Sequence, residues 1–248
     1  MKLEIITHCY CPPGQDHYAK CLDWQWRSLC IHDFGKFTSV KLTVCASSQD
    51  EATYKQLAYM LDHPGTVDVE LELMPYAKLF RRAIGRNMIA RRTKADLVWF
   101  ADADYFVGKE FYPSLCEVKI PYLWLEWPET YWINSSHEVG DSMVNEEPFS
   151  SREWSSGFKL RKQRKPIGGL FFVSGETARN GYLDGTRHQK EVDPEKGFRQ
   201  CRCDVPYRKG MMACKPNSIE GIYRLRHTVN GRDYYLDGTK GEGKAAWR

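Results

Sequence analysis

Strand-like and helix-like segments alternate along the first hundred residues, and this alternation constrains the fold more than any other feature. Apolar and β-branched runs predict strands at residues 3–7, 41–46, 66–74 and 97–101. Apolar positions at helical spacing predict helices at residues 17–32, 51–61 and 77–93. Regular alternation of this kind is typical of a layered α/β fold. The segment 97–101 is apolar throughout, which favours a central strand covered on both faces.

The regular pattern ends near residue 117. Residues 121–156 are rich in tryptophan, tyrosine and acidic side chains, and residues 159–165 carry five positive charges in seven positions. This charge junction predicts a mobile surface loop near residues 145–166. A strand at 167–173 and a helix or turn at 175–185 follow. The chain contains no internal repeat, so we expect a single domain with halves at 1–117 and 118–248.

The composition is that of a soluble globular protein. Of 248 residues, 36 are basic and 32 acidic, so the formal net charge is +4. No apolar run approaches the roughly 18 residues that a membrane helix needs, so no membrane span is predicted. The N-terminus lacks the pattern of a secretory leader, which predicts a cytoplasmic location and reduced cysteines. The pairs Cys9/Cys11 and Cys201/Cys203 lack the spacing of a common zinc site.

The charge is distributed unevenly along the chain. Residues 1–158 hold 16 basic and 22 acidic side chains (−6), whereas residues 159–248 hold 20 and 10 (+10). A cationic region of this size attracts either a phosphate-bearing small molecule or a nucleic acid, and charge alone does not separate the two.

Two aspartates follow the apolar segment 97–101 directly. In an open α/β sheet, ligands bind beyond the carboxyl ends of the strands, where Asp102 and Asp104 stand. Neighbouring carboxylates repel each other unless a cation lies between them. Their hard oxygens suit Mn²⁺ or Mg²⁺, ions that also bind diphosphates. The alternative is a purely structural role, in which the two aspartates cap a turn or a helix.

The sequence around these aspartates carries a more specific pattern. Residues 86–104, RNMIARRTKADLVWFADAD, place an Ala/Gly-Arg-Asn-type helix before an apolar strand that ends in Asp-x-Asp. In order and spacing, the first 110 residues resemble the family 2-like glycosyltransferases of the GT-A fold. This resemblance implies a Rossmann-like, nucleotide-sugar-binding α/β fold with a mixed, mainly parallel central sheet.

The C-terminal half resembles the same family more loosely. The glycine-containing acceptor strand corresponds to residues 168–173, and the following Gly-Tyr-x-Asp turn to residues 181–184. Residues 203–208 are similar to the acidic segment of the family, although Cys203 stands where an acid is usual. A C-terminal histidine completes the metal site in many members, and His227 occupies that place.

The resemblance implies a metal-dependent hexosyl- or pentosyltransferase that uses a nucleotide-diphosphate sugar, with UDP the expected nucleotide. The metal, Mn²⁺ or Mg²⁺, would be held by Asp102, Asp104 and His227. Asp204 would be the general base, and direct attack of an acceptor hydroxyl would invert the anomeric centre. The donor would be contacted by Thr7, Asp50, Arg86 and Asp102. For Asp50 a helix cap is the competing interpretation, and for Arg86 a solvated helical arginine.

The acceptor and the class of protein stay open at this point. A saccharide is one acceptor, and a hydroxymethylated base in DNA is another, since the cationic C-terminal third and the segment 159–165 suit phosphates. A non-catalytic nucleic-acid-binding protein is the alternative from a different class. A nucleotidyltransferase would also use paired aspartates, but it normally has a glycine- and lysine-rich phosphate loop, which residues 9–14 do not resemble. The tryptophans at 124, 127, 132 and 154 either stack on a sugar or base or belong to the core.

Overall fold

A seven-stranded sheet forms the centre of the protein in the computed structural model, which describes residues 1–145, 149, 157–183, 185–195 and 203–228. The strand order is β10-β6-β9-β4-β1-β2-β3. These strands are β1 Lys2–His8, β2 Ser39–Ala46, β3 Asp68–Leu73, β4 Leu97–Ala101, β6 Trp124–Pro128, β9 Leu170–Ser174 and β10 Ala213–Asn217. Only β9 runs antiparallel to its neighbours in this sheet. The predicted α/β fold class with a mixed, mainly parallel sheet is therefore confirmed.

Nine helices are described around the strands. They are α1 His17–Cys30, α2 Glu51–Asp62, α3 Tyr76–Leu79, α4 Arg82–Arg92, α5 Phe111–Cys116, α6 His137–Asn145, α7 Gly175–Arg179, α8 Thr186–Gln189 and α9 Asp204–Lys209. None of these helices is long and apolar enough to cross a membrane.

The central strand β4 is buried along its whole length. It pairs in parallel with β1 and antiparallel with β9, so both of its edges are hydrogen-bonded. Because side chains alternate across a strand, Trp99 joins the apolar cluster on one face and Phe100 the cluster on the other. Burial on both faces explains why the segment shows no polar alternation.

A second, four-stranded sheet begins directly after the two aspartates. Its strands are β5 Tyr105–Val107, β7 Thr130–Asn134, β8 Phe158–Lys162 and β11 Ile222–Arg224, in the order β5-β11-β7-β8. The chain leaves the large sheet at Ala101 and enters the small one at Tyr105. Asp102 and Asp104 therefore stand where the two sheets meet.

The helix predicted at 77–93 is wrong in its continuity, because it is split into α3 and α4. Arg81 leaves the helical region, with φ −101° and ψ 79°. The ring of Phe80 is buried, stacks on Tyr76 at 5.2 Å and meets Tyr10 at 4.7 Å. The new start places Arg82 on an inward face, where it pairs with Asp102. Tertiary contacts of this kind override helical spacing.

The segment predicted to be irregular forms regular elements. Strands β6 and β7 and helix α6 occupy most of it, and the buried, charged Glu126 on β6 hides the strand pattern. Trp127 belongs to the core and donates from Nε1 to the carbonyl of Gln163 at 3.2 Å, while Trp132 stacks on Tyr223. Trp154 lies outside the described residues.

The basic run at 159–165 was predicted to be a loop, and most of it is strand β8. Antiparallel pairing with β7 holds this strand, and its side chains from Lys159 to Lys162 are exposed. Basic side chains are common on edge strands because they discourage pairing with another chain. Of the predicted loop near 145–166, residues 146–148 and 150–156 lie outside the described part of the chain, and its mobility stays a prediction.

Candidate functional site

A cleft of about 500 Å³ opens beside the carboxyl ends of β4 and β1, and we call it the aspartate cleft. Its wall includes His8, Arg82, Asp102, Asp104, Arg224 and His227. The volume lies within the range of small-molecule sites, about 300–1,000 Å³. Side chains from both sheets and from α4 therefore converge on one space.

Asp104 has one paired and one unpaired carboxylate oxygen. The side chain is nearly buried, and Oδ2 accepts from Nε of Arg224 at 3.0 Å. The buried Oδ1 has no hydrogen-bond partner among the residues that the structure describes. Buried polar atoms are normally paired, so such an atom in a cleft wall calls for a ligand. A divalent cation with a preference for oxygen fits this requirement.

Asp102 is held in place by ion pairs of its carboxylate and by a hydrogen bond of its backbone N–H. It pairs with Arg82, and Nη2 of Arg86 lies 3.7 Å from Oδ1. Its N–H donates to the carbonyl of Gly169 at 3.3 Å. A Cβ at Gly169 would lie 2.2 Å from Cγ of Asp102, so the position tolerates no side chain without displacing the carboxylate.

Asp204 is held from several sides by buried groups. Its Oδ1 accepts from Nη1 of Arg86 at 2.8 Å and from the hydroxyl of Tyr182 at 2.9 Å. Its Oδ2 lies 3.6 Å from Nη2 of Arg82, and a Cβ at Gly168 would approach Oδ2 to 2.1 Å. The two glycines thus let the backbone pass close to both Asp204 and Asp102.

Arg86 is a buried ion-pair partner and not a solvated helical arginine. Its side chain is fully buried, and its guanidinium also lies 5.3 Å from the ring centre of Tyr182. Burial opposes the charge, but Tyr182 and Asp204 outweigh it and raise the pKa of Arg86. Arg86 is not among the residues that line the cleft, and its contact with a donor stays a prediction.

His8 is a cleft residue that the sequence did not single out. Both of its ring nitrogens are buried and lack a hydrogen-bond partner in the described part of the chain. Burial, followed by the charges of Arg86 and Arg82, holds the pKa of His8 well below 6.5. The imidazole is therefore neutral at pH 7 and offers the cleft one donor and one acceptor.

The predicted contact residue Thr7 lies beneath the cleft. Its side chain is fully buried, and its hydroxyl donates to the carbonyl of Ala101 at 3.3 Å. His8, the next residue on β1, lines the cleft in its place. The side chain of Thr7 holds two strands together, and a contact with a nucleoside through that side chain would require it to move.

Asp50 caps α2 and stands in the wall of a second cavity. Its Oδ1 accepts from the N–H of Thr53 at 3.1 Å, which confirms the predicted cap. Its Oδ2 accepts from the N–H of Cys11 at 2.7 Å and so ties the loop after β1 to this helix. The cavity holds about 870 Å³ between that loop and α2. A role of Asp50 in nucleoside binding stays a prediction.

His227 lines the aspartate cleft but has other neighbours than predicted. Its ring centre lies 4.4 Å from that of His17. The potential ligand atoms of His227, His17 and Cys21 lie within 4.8 Å of one another, and among the described residues no such group joins His227 to Asp102 and Asp104. A shared ion between His227 and the two aspartates stays a prediction.

One site residue, Arg82, was within reach of the sequence pattern but was not among the predicted residues. Arg82 and Arg86 are four residues apart on one helix, a spacing that places both on the same face. Both point to the aspartates that follow β4 and begin α9. Arg224 and Tyr182 carry no comparable local signal, because only the folded chain brings them to Asp104 and Asp204.

Comparisons with known proteins leave the family open. No family model matches the sequence. No curated protein matches it either. Among solved structures, the chain is similar to the inositol-1-phosphate CTP transferase from T. maritima, with 8% sequence identity, 92% of each chain covered and a TM-score of 0.48. At this identity and score the likeness supports no conclusion about family or activity.

Proposed function

We propose that this protein is a metal-dependent glycosyltransferase that moves a sugar from a nucleotide-diphosphate sugar to an acceptor hydroxyl. The observation that carries the proposal is the unpaired, buried Oδ1 of Asp104 in a cleft at the carboxyl end of the central strand. The resemblance of residues 86–104 to family 2-like glycosyltransferases supplies the reaction class, with UDP as the expected nucleotide.

The carboxylates of the cleft suit the donor's metal. Asp104 offers a free oxygen, and Asp102 is partly exposed beside it. Mn²⁺ or Mg²⁺ bound there would act as a Lewis acid on the diphosphate leaving group. We assign this ion to the two aspartates alone, because the ring of His227, the predicted third ligand, packs on His17 instead.

Cationic side chains of the chain itself support departure of the diphosphate. Arg82, Arg224, Arg226 and Arg161 all line the cleft. Charge grows on the diphosphate as the bond to the anomeric carbon breaks, and preorganised guanidinium groups stabilise that charge. Arg82 is also held by Asp102, so its position does not depend on a bound ligand.

Asp204, which lies behind the cleft residue Arg82 and is not itself part of the cleft wall, is the proposed general base. The acceptor oxygen would form a bond to the anomeric carbon while its proton passes to Oδ2 of Asp204, because Oδ1 is occupied by Arg86 and Tyr182. Attack from the face opposite the diphosphate inverts the anomeric centre. Arg86 and Tyr182 act as positioning residues for this carboxylate.

The proposal is tested by nucleotide-dependent stabilisation and by product analysis. We expect one nucleoside diphosphate, with its sugar, to raise the melting temperature in Mn²⁺ but not in EDTA. A ligand at 100 times its Kd adds about 2.7 kcal/mol of stability. Turnover should release a nucleoside diphosphate. Release of pyrophosphate would identify a nucleotidyltransferase, and indifference to every nucleotide would favour a non-catalytic nucleic-acid-binding protein.

The exposed basic strand beside the cleft favours a nucleic acid as one acceptor, with a saccharide as the other. Arg161 of β8 lines the cleft, and its neighbours Lys159 and Lys162 are exposed. Phosphate contacts along this strand would hold a duplex while a hydroxymethylated base is flipped toward the sugar. Supplying labelled donor with modified DNA or with oligosaccharides, and locating the label, decides between the two acceptors.

A further inference from the structure

A second group of potential metal ligands lies beside the carboxylates of the aspartate cleft. It consists of His17, Cys21 and His227, whose ligand atoms all lie within 4.8 Å of one another. His17 and Cys21 are four residues apart on α1 and so share one face of the helix. His227 comes from the segment after β11. The fold therefore brings His227 next to two potential ligands on one helix that are more than 200 positions earlier in the sequence.

Two members of this group, His17 and Cys21, are buried. His17 is 5% exposed and Cys21 is fully buried. Nε2 of His17 has no hydrogen-bond partner among the described residues, and the nearest carboxylate oxygen, Oδ1 of Asp141, is 3.9 Å away. A buried imidazole with an unpaired nitrogen, close to a thiol and a second imidazole, has the environment of a metal ligand.

We propose that His17, Cys21 and His227 form a binding site for Zn²⁺ or a transition-metal ion of similar preference, distinct from the carboxylate site of the donor's metal. Imidazole and thiolate ligands select zinc, whereas Mn²⁺ and Mg²⁺ favour oxygen. Three protein ligands leave the fourth tetrahedral position for water or for Asp141. This inference does not depend on the proposed function.

The surroundings are organised to hold His227 near α1. Asp141 on α6 accepts from the N–H of Thr228 at 3.0 Å and from its hydroxyl at 2.6 Å. The residue next to His227 is therefore fixed, and the ring of Tyr18 stands 5.0 Å from that of His227. A bound ion would cross-link α1 to the segment that closes one side of the aspartate cleft.

Burial shifts the pKa values of two of the proposed ligands. Burial, followed by the charge of His227, lowers the pKa of His17 to about 4. Burial raises the pKa of the Cys21 thiol well above its usual value. Cys21 would therefore bind as thiolate with release of its proton.

The test uses the full chain, stripped of metal by dialysis against EDTA and titrated with Co²⁺ as a spectroscopic substitute for Zn²⁺. We expect a thiolate-to-cobalt charge-transfer band in the near ultraviolet and tetrahedral bands in the visible, saturating at one equivalent. Zn²⁺ should bleach both. A wild-type protein without the charge-transfer band would overturn the proposal.

Variants assign the band to these residues. Cys21→Ser should abolish it, whereas Cys214→Ser, the matched change at an exposed thiol on β10, should leave it unchanged. Loss of an outer-shell partner alone costs about 10–100-fold in metal affinity. We therefore expect His17→Ala to weaken Zn²⁺ binding by at least that factor. A band retained in folded Cys21→Ser would contradict the assignment.

A last variant separates the two sites. Asp104→Asn should remove the Mn²⁺-dependent effect of a nucleotide sugar and keep the cobalt–thiolate band. Loss of that band in folded Asp104→Asn would show that the nitrogen–sulfur site is not distinct. Failure of the nucleotide experiment with an intact band would count against the proposed function alone.

Discussion

At the scale of single residues, the pairing of each carboxylate oxygen distinguishes the three aspartates. Asp204 has Oδ1 shared by two buried donors, and Asp102 is covered by Arg82. Asp104 alone combines deep burial with an oxygen that has no partner in the described part of the chain. Leaving such an atom unpaired costs about 1–3 kcal/mol, which a bound cation would recover.

The first prediction concerns this oxygen. Asp104→Asn keeps the shape of the side chain and an acceptor for Arg224 but removes the negative charge. We expect the Mn²⁺-dependent rise in melting temperature with a nucleotide sugar to disappear, while the protein stays folded. Asp62→Asn, at an exposed position ending α2, is the matched control. An unchanged Mn²⁺ effect in Asp104→Asn would remove this residue from the metal site.

The second prediction concerns the close approach of Gly169 to Asp102. Gly169→Ala would place a Cβ 2.2 Å from Cγ of Asp102, so the carboxylate or the strand must shift. Overpacking of this kind costs about 1–3 kcal/mol. Urea unfolding should show this loss together with weaker nucleotide binding. Gly185→Ala has 3.8 Å of clearance to His188 and should change neither quantity.

The third prediction follows from the burial of His8. Its folded-state pKa lies well below the ordinary 6.5, chiefly through burial, so the unfolded chain takes up a proton that the folded chain does not. Stability of the metal-free protein should therefore fall as pH decreases below about 6.5. His8→Gln should flatten this dependence in urea unfolding at several pH values. The exposed His63, replaced in the same way, is the control; an equal slope in both variants would refute the assignment.

Site residues that directly follow a strand can be predicted from the sequence. Their partners cannot, because only the tertiary fold brings them to the site. Asp102 and Asp104 were predictable because they follow a continuous apolar strand. The partners of Asp104 and Asp204 lie 120 and 22 residues away along the chain, at Arg224 and Tyr182. The burial of Arg86 could not be predicted either, because helical spacing does not show that Asp204 forms an ion pair with it inside the protein.

At the scale of elements, the strands and helices of the first half follow their local signals. Strands β1 to β4 and helices α1 and α2 begin and end within two residues of their predicted bounds. Where local signals conflict with tertiary contacts, the contacts prevail. The helix predicted at 77–93 is interrupted after the buried Phe80. The buried Glu126 interrupts the apolar pattern by which β6 could have been predicted.

The fourth prediction is that one carboxylate ties the loop after β1 to α2. Asp50→Ala removes the acceptor for both Thr53 and Cys11, so we expect a loss of stability of about 1–2 kcal/mol. Asp50→Ser keeps a capping oxygen and should lose less, as measured by thermal unfolding. If Asp50→Ser is stable but binds the nucleotide sugar poorly, the carboxylate also contacts the donor. Stability equal to wild type in Asp50→Ala would contradict the cap.

At the scale of the whole molecule, the predicted class of fold is confirmed. The structure also shows where part of the predicted cationic region lies. The exposed side chains of β8 place part of the cationic C-terminal third beside the aspartate cleft. The net acidic segment 1–158 supplies Asp102 and Asp104 to the same cleft. A phosphate-rich ligand would thus meet cationic side chains from one half and a metal held by the other.

The fifth prediction tests whether this cationic edge serves a nucleic acid. Each phosphate contact contributes about −0.9 to the slope of log K against log salt for duplex DNA. Lys159→Ala with Arg164→Ala, both exposed, should therefore make the slope about 1.8 units shallower and leave nucleotide-sugar binding intact. Lys94→Ala with Lys119→Ala removes the same charge from exposed positions elsewhere and should change the slope less. Equal effects of the two pairs would mean that DNA responds to net charge alone, and a saccharide would become the favoured acceptor.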